Sequence, residues 1–167
     1  MAAANCKVCT PLKAKLHKPL LKTSLSTHFN EYVQQDLFFL FDEPFMLLVD
    51  ECIRWKTGGH LPSKQAPDLI HALLYLWIRV WGPMEYLVTD QEGGLVSHEA
   101  TSFFERIQTK RILIGTEGST TKGIVERHIA LTKVALLKFN KECRTQGLDL
   151  TLSDQVYECC VAQNLLF

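Results

Sequence analysis

A chain of 167 residues, 47% hydrophobic and 10% aromatic, is long enough for one domain with a substantial core but not for two, and its composition excludes a disordered tail. Eighteen basic and eighteen acidic side chains cancel, so the net charge alone argues against a polyanion partner. No apolar run reaches the roughly 18 to 20 residues that a bilayer span needs.

Residues 1–29 are polar and basic, and Pro11 and Pro19 interrupt any long helix, so they read as a linker. The start Met1-Ala2-Ala3-Ala4-Asn5 lacks the charged and apolar regions of a secretory signal, which sets the expectation of an intracellular protein. From Tyr32 to Phe41 and from Pro44 to Trp55 the chain is rich in β-branched and aromatic residues. These stretches predict a strand, a turn at Asp42-Glu43-Pro44, and one or two further strands. Ala66 to Trp81 carries Leu69, Ile70, Leu73, Leu74, Trp77, Val80 and Trp81 at helical spacing, with Gly82-Pro83 as its stop signal.

A short strand over Tyr86 to Thr89 then delivers Asp90 into the turn Gln91-Glu92-Gly93-Gly94. Ser97 is placed to cap a helix running to about Ile107, and Arg111 to Ile114 is a further strand. Gly115 to Gly123 is a loop, a longer helix spans about Lys122 to Asn140, Gly147 punctuates the chain, and Ser153 opens a last helix. Strands followed by alternating helices and strands predict an α/β fold, a mixed sheet with helices on its faces. Trp77, Trp81, Phe38 and Phe39 are expected in the core.

The six cysteines, Cys6, Cys9, Cys52, Cys143, Cys159 and Cys160, are not spaced as a disulfide framework and read as reduced thiols. Charge is unevenly distributed. Residues 1–30 carry Lys7, Lys13, Lys15, Lys18 and Lys22 with no acidic residue, and residues 106–144 carry nine Lys or Arg against Glu117, Glu126 and Glu142. Basic flanks around an acidic centre suit a protein that grips a polyanion while keeping carboxylates for metal, although solvated surface would look the same.

Three acids stand out. Asp36 lies inside an apolar strand, where a charge needs a partner or a metal. Asp90 ends a strand, on the side of an open sheet where ligands bind. Glu126 sits near a helix start, one turn past Gly123. Singly, each has a plain explanation: a buried ion pair, a turn residue, or an acid favoured by the helix dipole. Together they could supply the oxygen ligands of a divalent-metal phosphoryl-transfer site.

Between Asp90 and Glu126 stand 35 residues, and here the sequence resembles the D-D-35-E catalytic core of retroviral and long-terminal-repeat retrotransposon integrases. Asp36-Leu37-Phe38 resembles the family's first-Asp strand, and Leu48-Val49-Asp50-Glu51-Cys52-Ile53-Arg54 its second strand. Trp81-Gly82-Pro83 through Val88-Thr89-Asp90-Gln91-Glu92-Gly93-Gly94 resembles the second-Asp segment, and Gly123-Ile124-Val125-Glu126-Arg127-His128 the Glu signature. The resemblance implies an RNase H-like fold with a five-stranded mixed sheet, Mg or Mn at Asp36, Asp90 and Glu126, and cutting and joining of DNA by metal-dependent phosphoryl transfer. It further implies DNA contacts from Lys133, Lys122 and Arg127, a mobile loop at Gly115 to Gly123, homo-oligomers, and nuclear action.

By the same resemblance, residues 1–29 would be the Cys half of a zinc-binding domain plus its linker, and residues 30–167 a catalytic core cut short at its C-terminus. Cys6-Lys7-Val8-Cys9 matches the family's Cys pair, but the upstream His pair has no counterpart and His17 and His28 lie downstream, so the zinc site is expected to be incomplete. Ile129 replaces the Asn usually found three residues after the Glu, and the loop lacks the family's Pro-Gln. These departures support a second reading, a non-catalytic, degenerate or repurposed integrase fragment that binds DNA or a protein partner. An RNA-cleaving enzyme of RNase H type is disfavoured by the 35-residue spacing and the Glu-Arg-His context.

Overall fold

The computed structural model describes residues 26–90, 94–114 and 123–166. Cys6, Cys9, Lys122, the linker lysines, residues 91–93 of the expected turn and residues 115–122 of the loop expected over Gly115 to Gly123 lie outside the described residues, and Gly123 itself begins a helix.

The first two strands, β1 (Tyr32–Leu40) and β2 (Glu43–Asp50), form an antiparallel hairpin in which Leu40 faces Glu43. The turn is therefore Phe41-Asp42, slightly earlier than the sequence suggests. Both residues have positive φ, 56° and 61°, the backbone that a two-residue hairpin matching the strands' twist requires. β2 is buried from Phe45 to Asp50. There Asp50 accepts backbone N–H groups from Asn30 at 2.8 Å, Cys52 at 2.9 Å and Ile53 at 2.8 Å, so its carboxylate organises the turn that follows.

A third strand, β3 (Lys56–His60), pairs antiparallel with β2 at the sheet edge. It begins after Trp55, where a sequence reading stops, because Gly58 and Gly59 are poor strand formers. Their missing side chains are needed: a Cβ at Gly58 would come within 2.9 Å of the Met46 carbonyl and 3.2 Å of Val156, and one at Gly59 within 3.2 Å of Leu76.

The predicted helix over 66–81 is present in three continuous parts, α1 (Ala66–Leu73), a wider π-helical turn (Leu74–Ile78) and α2 (Arg79–Trp81). The wide turn shifts the phase of the apolar stripe, so Trp77 is buried whereas Leu74 and Val80 point outward. Gly82, with φ of 78°, ends it as expected.

β4 (Tyr86–Asp90) runs parallel to β1, and β5 (Lys110–Ile114) parallel to β4, giving the sheet order β3-β2-β1-β4-β5. Between them a short 3₁₀ turn (Gly94–Val96) leads into α3 (His98–Arg106), whose Ser97 cap accepts the Ala100 N–H. α4 (Gly123–Gln146) extends six residues past the expected Asn140 and closes with Gly147 at φ of 67° and a Leu148 N–H to Cys143 carbonyl bond of 2.9 Å. α5 (Leu152–Leu165) is capped by Thr151, not Ser153, in a reciprocal box with Asp154.

The mixed five-stranded sheet thus carries a core on each face. α1 and α3 cover one around Val33, Met46, Leu48, Leu73, Trp77, Leu87 and Phe104. α4 and α5 cover the other around Phe38, Phe45, Leu47, Val49, Val125, Leu136 and Val156. Of the four aromatics expected in the core, Trp77 and Phe38 are buried, and Trp81 packs partly buried against the first core. Phe39 is instead 49% exposed on the opposite face of β1 from Phe38, where it lines an open cavity, with the Lys64 amine 5.1 Å from its ring centre.

No helix among the described residues is long and apolar enough to cross a membrane. Cys52, Cys143, Cys159 and Cys160 are free thiols, and burial pushes the Cys160 thiol up to about 12.

Candidate active site

β1 and β4 pair in parallel through Tyr32 with Tyr86, Val33 with Leu87 and Gln34 with Val88. Continuing that register by two residues sets Asp36 beside Asp90. The intervening step is held by the Thr89 hydroxyl, which donates to the Gln35 side-chain oxygen at 2.5 Å. Alternation along a strand puts Gln34, Asp36 and Phe38 on one face, the face on which Phe38 packs against α4. Both aspartates also line a cavity of about 220 Å³ whose other walls include Leu37, Phe39, Lys64, Leu69 and Leu95, on the α1 side of the sheet rather than the α4 side.

Glu126 is in the first turn of α4 and exposed. The turn itself docks on β1, since the Val125 N–H donates to Gln34 Oε1 at 3.1 Å. Two of the three expected ligands therefore share a cavity, and the third stands on the neighbouring helix start without lining it. Among the described residues, no group of three His, Cys, Asp or Glu side chains converges closely enough to hold a metal ion. The donor chemistry of the aspartate pair nevertheless fits a hard divalent cation, because carboxylate oxygens are the usual ligands of Mg and Mn.

The basic residues divide. Arg127 is exposed beside Glu126, whereas the Lys133 amine lies 5.6 Å from the centre of the Phe38 ring, half-buried against β1. Ile129 is 9% exposed and belongs to the α4–α5 core, so it faces the sheet and offers nothing polar to the cavity.

Several residues around the site carry no sequence signal. Lys64, in the loop before α1, adds a cation to the cavity lining. Gln34 and Glu51 are buried and bonded to one another, Nε2 to Oε1 at 2.7 Å. Lys56, 1% exposed, has its amine 3.1 Å from His128 Nδ1. Burial lowers the Lys56 amine. Burial first, and then the Lys56 charge, hold the His128 imidazole down to about 4. A hydrophobic pattern cannot reveal such buried polar pairs, since a lysine or glutamine inside a strand looks like an interruption.

No protein-family model and no curated protein matches the chain. Solved structures do. The catalytic core domain of BIV integrase is 15% identical with a TM-score of 0.67, covering 80% of this chain and 82% of that one. The HTLV-2 integrase catalytic core domain in complex with magnesium, in its dimeric form, is 19% identical with a TM-score of 0.68, covering 80% and 86%. A simian T-cell lymphotropic virus intasome in complex with PP2A regulatory subunit B56 gamma contains a chain 18% identical with a TM-score of 0.74. That match covers 93% of this chain, which spans 55% of the length of the intasome chain. With its sheet order, its helices on both faces and these likenesses together, the chain has the RNase H-like fold of a retroviral integrase catalytic core.

Proposed function

We propose that the chain is an integrase-type core that cuts and joins DNA by phosphoryl transfer, using Mg or Mn held by Asp36, Asp90 and Glu126. The observation that carries this reading is that Asp36 and Asp90, on adjacent parallel strands, line one cavity, with α4 bringing its first turn to the same strand as Asp36. The solved HTLV-2 core in complex with magnesium supports the choice of metal. When bound, the metal polarises the phosphate and lowers the pKa of the attacking water or hydroxyl.

The chain's own residues supply the rest. Asp36 and Asp90 provide the ligands nearest one another, and Glu126 approaches from α4. Lys64 and Arg127, with Lys122, neutralise the DNA backbone and set its position without reading bases. Lys133, whose amine lies over the Phe38 ring of β1, joins them as a contact to the DNA backbone. Copies of the chain associate, as the HTLV-2 core does in its dimeric and trimeric forms, and the DNA partner places the activity in the nucleus. Zinc has no part in this reading.

A second reading is favoured by the packing of Ile129: a fragment that keeps the fold and binds DNA or a protein without catalysis. A strand-transfer or disintegration assay on branched DNA with Mg or Mn separates the two. The natural chain should react and Asp90→Asn should fall to background. If neither reacts while both bind DNA with an affinity that drops steeply as salt rises, the second reading stands.

A further inference from the structure

The first turn of an α-helix has backbone N–H groups with no acceptor inside the helix. In α4 one of these, on Val125, is satisfied from another element: Gln34 Oε1, on β1, accepts it at 3.1 Å in a buried setting. The other end of the same amide is also engaged, Gln34 Nε2 donating to Glu51 Oε1 at 2.7 Å. Gln34 is 0% exposed and Glu51 1%. The amide orientation is dictated by its neighbours, because a backbone N–H can only donate and a carboxylate can only accept. A relay therefore runs from the end of β2 through β1 to the start of α4.

Its position gives it a consequence. Gln34 is two residues before Asp36 on the same face of β1, and Val125 immediately precedes Glu126. We infer that Gln34 is a positioning residue: with Glu51 holding its amide, it fixes the first turn of α4, and with it Glu126, against the strand that carries Asp36. Val125, Ile129 and Leu136 anchor α4 to the sheet by apolar packing, but such contacts tolerate sliding. The directional bond at Val125 sets where the first turn stops. The part of this inference that concerns catalysis rests on Glu126 being a ligand, as proposed above.

Three variants of the full chain test it: Gln34→Leu, Gln34→Glu, and Gln34→Glu combined with Glu51→Gln. The first removes the acceptor, and the second sets two carboxylates against each other. The third rebuilds the relay with the middle bond reversed, since the amide now on the β2 side can donate to the carboxylate now on β1, which still accepts from Val125. Amide hydrogen exchange followed residue by residue should show Val125 exchanging about tenfold faster in the first two variants, with Leu136 in mid-helix unchanged and the double variant restored. Equal acceleration along all of α4, no acceleration at Val125, or failure of the swap to restore it overturns the inference.

In the strand-transfer assay the two single variants should lower kcat and raise the Mn concentration needed for half-maximal rate, with KM for DNA unchanged, and the double variant should recover. If the natural chain is inactive, the enzyme reading falls by itself and the exchange result still decides the role of Gln34. If the chain is active and exchange responds but kcat does not, the link to Glu126 is wrong.

Discussion

Glu31 collects three donors on one carboxylate oxygen: the Thr27 N–H at 2.6 Å, the Thr27 hydroxyl at 2.9 Å and the Ser26 hydroxyl at 3.1 Å. The Thr27 backbone bond is the largest influence, and the carboxyl is held down to about 2 from its ordinary 4.5. A group depressed on folding contributes stability that is fully present above the unfolded pKa and is lost as pH falls through the folded one. Glu31→Gln should therefore lower Tm at pH 7 and lose most of that difference by pH 2, which melts at the two pH values would read. At this same scale the site was partly legible in the sequence. Asp36 and Asp90 stood out because a carboxylate in an apolar strand and one at a strand end are both unexpected. Gln34, Glu51, Lys56 and Lys64 did not, because their roles exist only through partners far along the chain, such as Val125 for Gln34 and His128 for Lys56.

The elements that a periodic pattern announces were legible, and those that tertiary packing imposes were not. The apolar stripe of 66–81 and the Ser97 cap led to real helices. The π-helical turn did not show, since a local widening leaves the composition unchanged. β3 was hidden by its two glycines, whose places are filled by Met46, Val156 and Leu76 from three other elements. Gly58→Val should consequently push β2 and α5 apart and destabilise the chain by about 1 to 3 kcal/mol, measured as a lower denaturation midpoint in urea. An ordinary β propensity scale would predict the opposite sign for that substitution.

Over the whole molecule, the alternation of strands and helices was enough to foresee a mixed sheet with helices on its faces, because each layer's hydrophobic face must be covered by the next, and the count of five strands followed from the resemblance to integrase cores. The pattern could not tell which face each helix takes, and that is what leaves Glu126, on α4, outside the cavity that Asp36 shares with Leu69 of α1. Burial also predicts unequal sensitivity among the aromatics. Trp77 is fully buried, donates to the Asn30 side chain at 2.8 Å and stacks on Phe29 with ring centres 6.0 Å apart. Trp77→Ala should lower unfolding free energy by about 3 to 5 kcal/mol in a denaturant titration, well above any change at exposed Phe39.

The hairpin of β1 and β2 closes over a two-residue turn, but β1 meets β4 only after the chain has passed through β3 and the helix over 66–81. Local contacts form early and distant ones late, because the entropy of closing a long loop must be offset before the contact rewards it. The hairpin can thus exist with one aspartate and no neighbour for it. Under the function proposed above, cation capture by the aspartate pair would report a finished crossover, and a nascent or nicked chain that retains only the hairpin would lack that site.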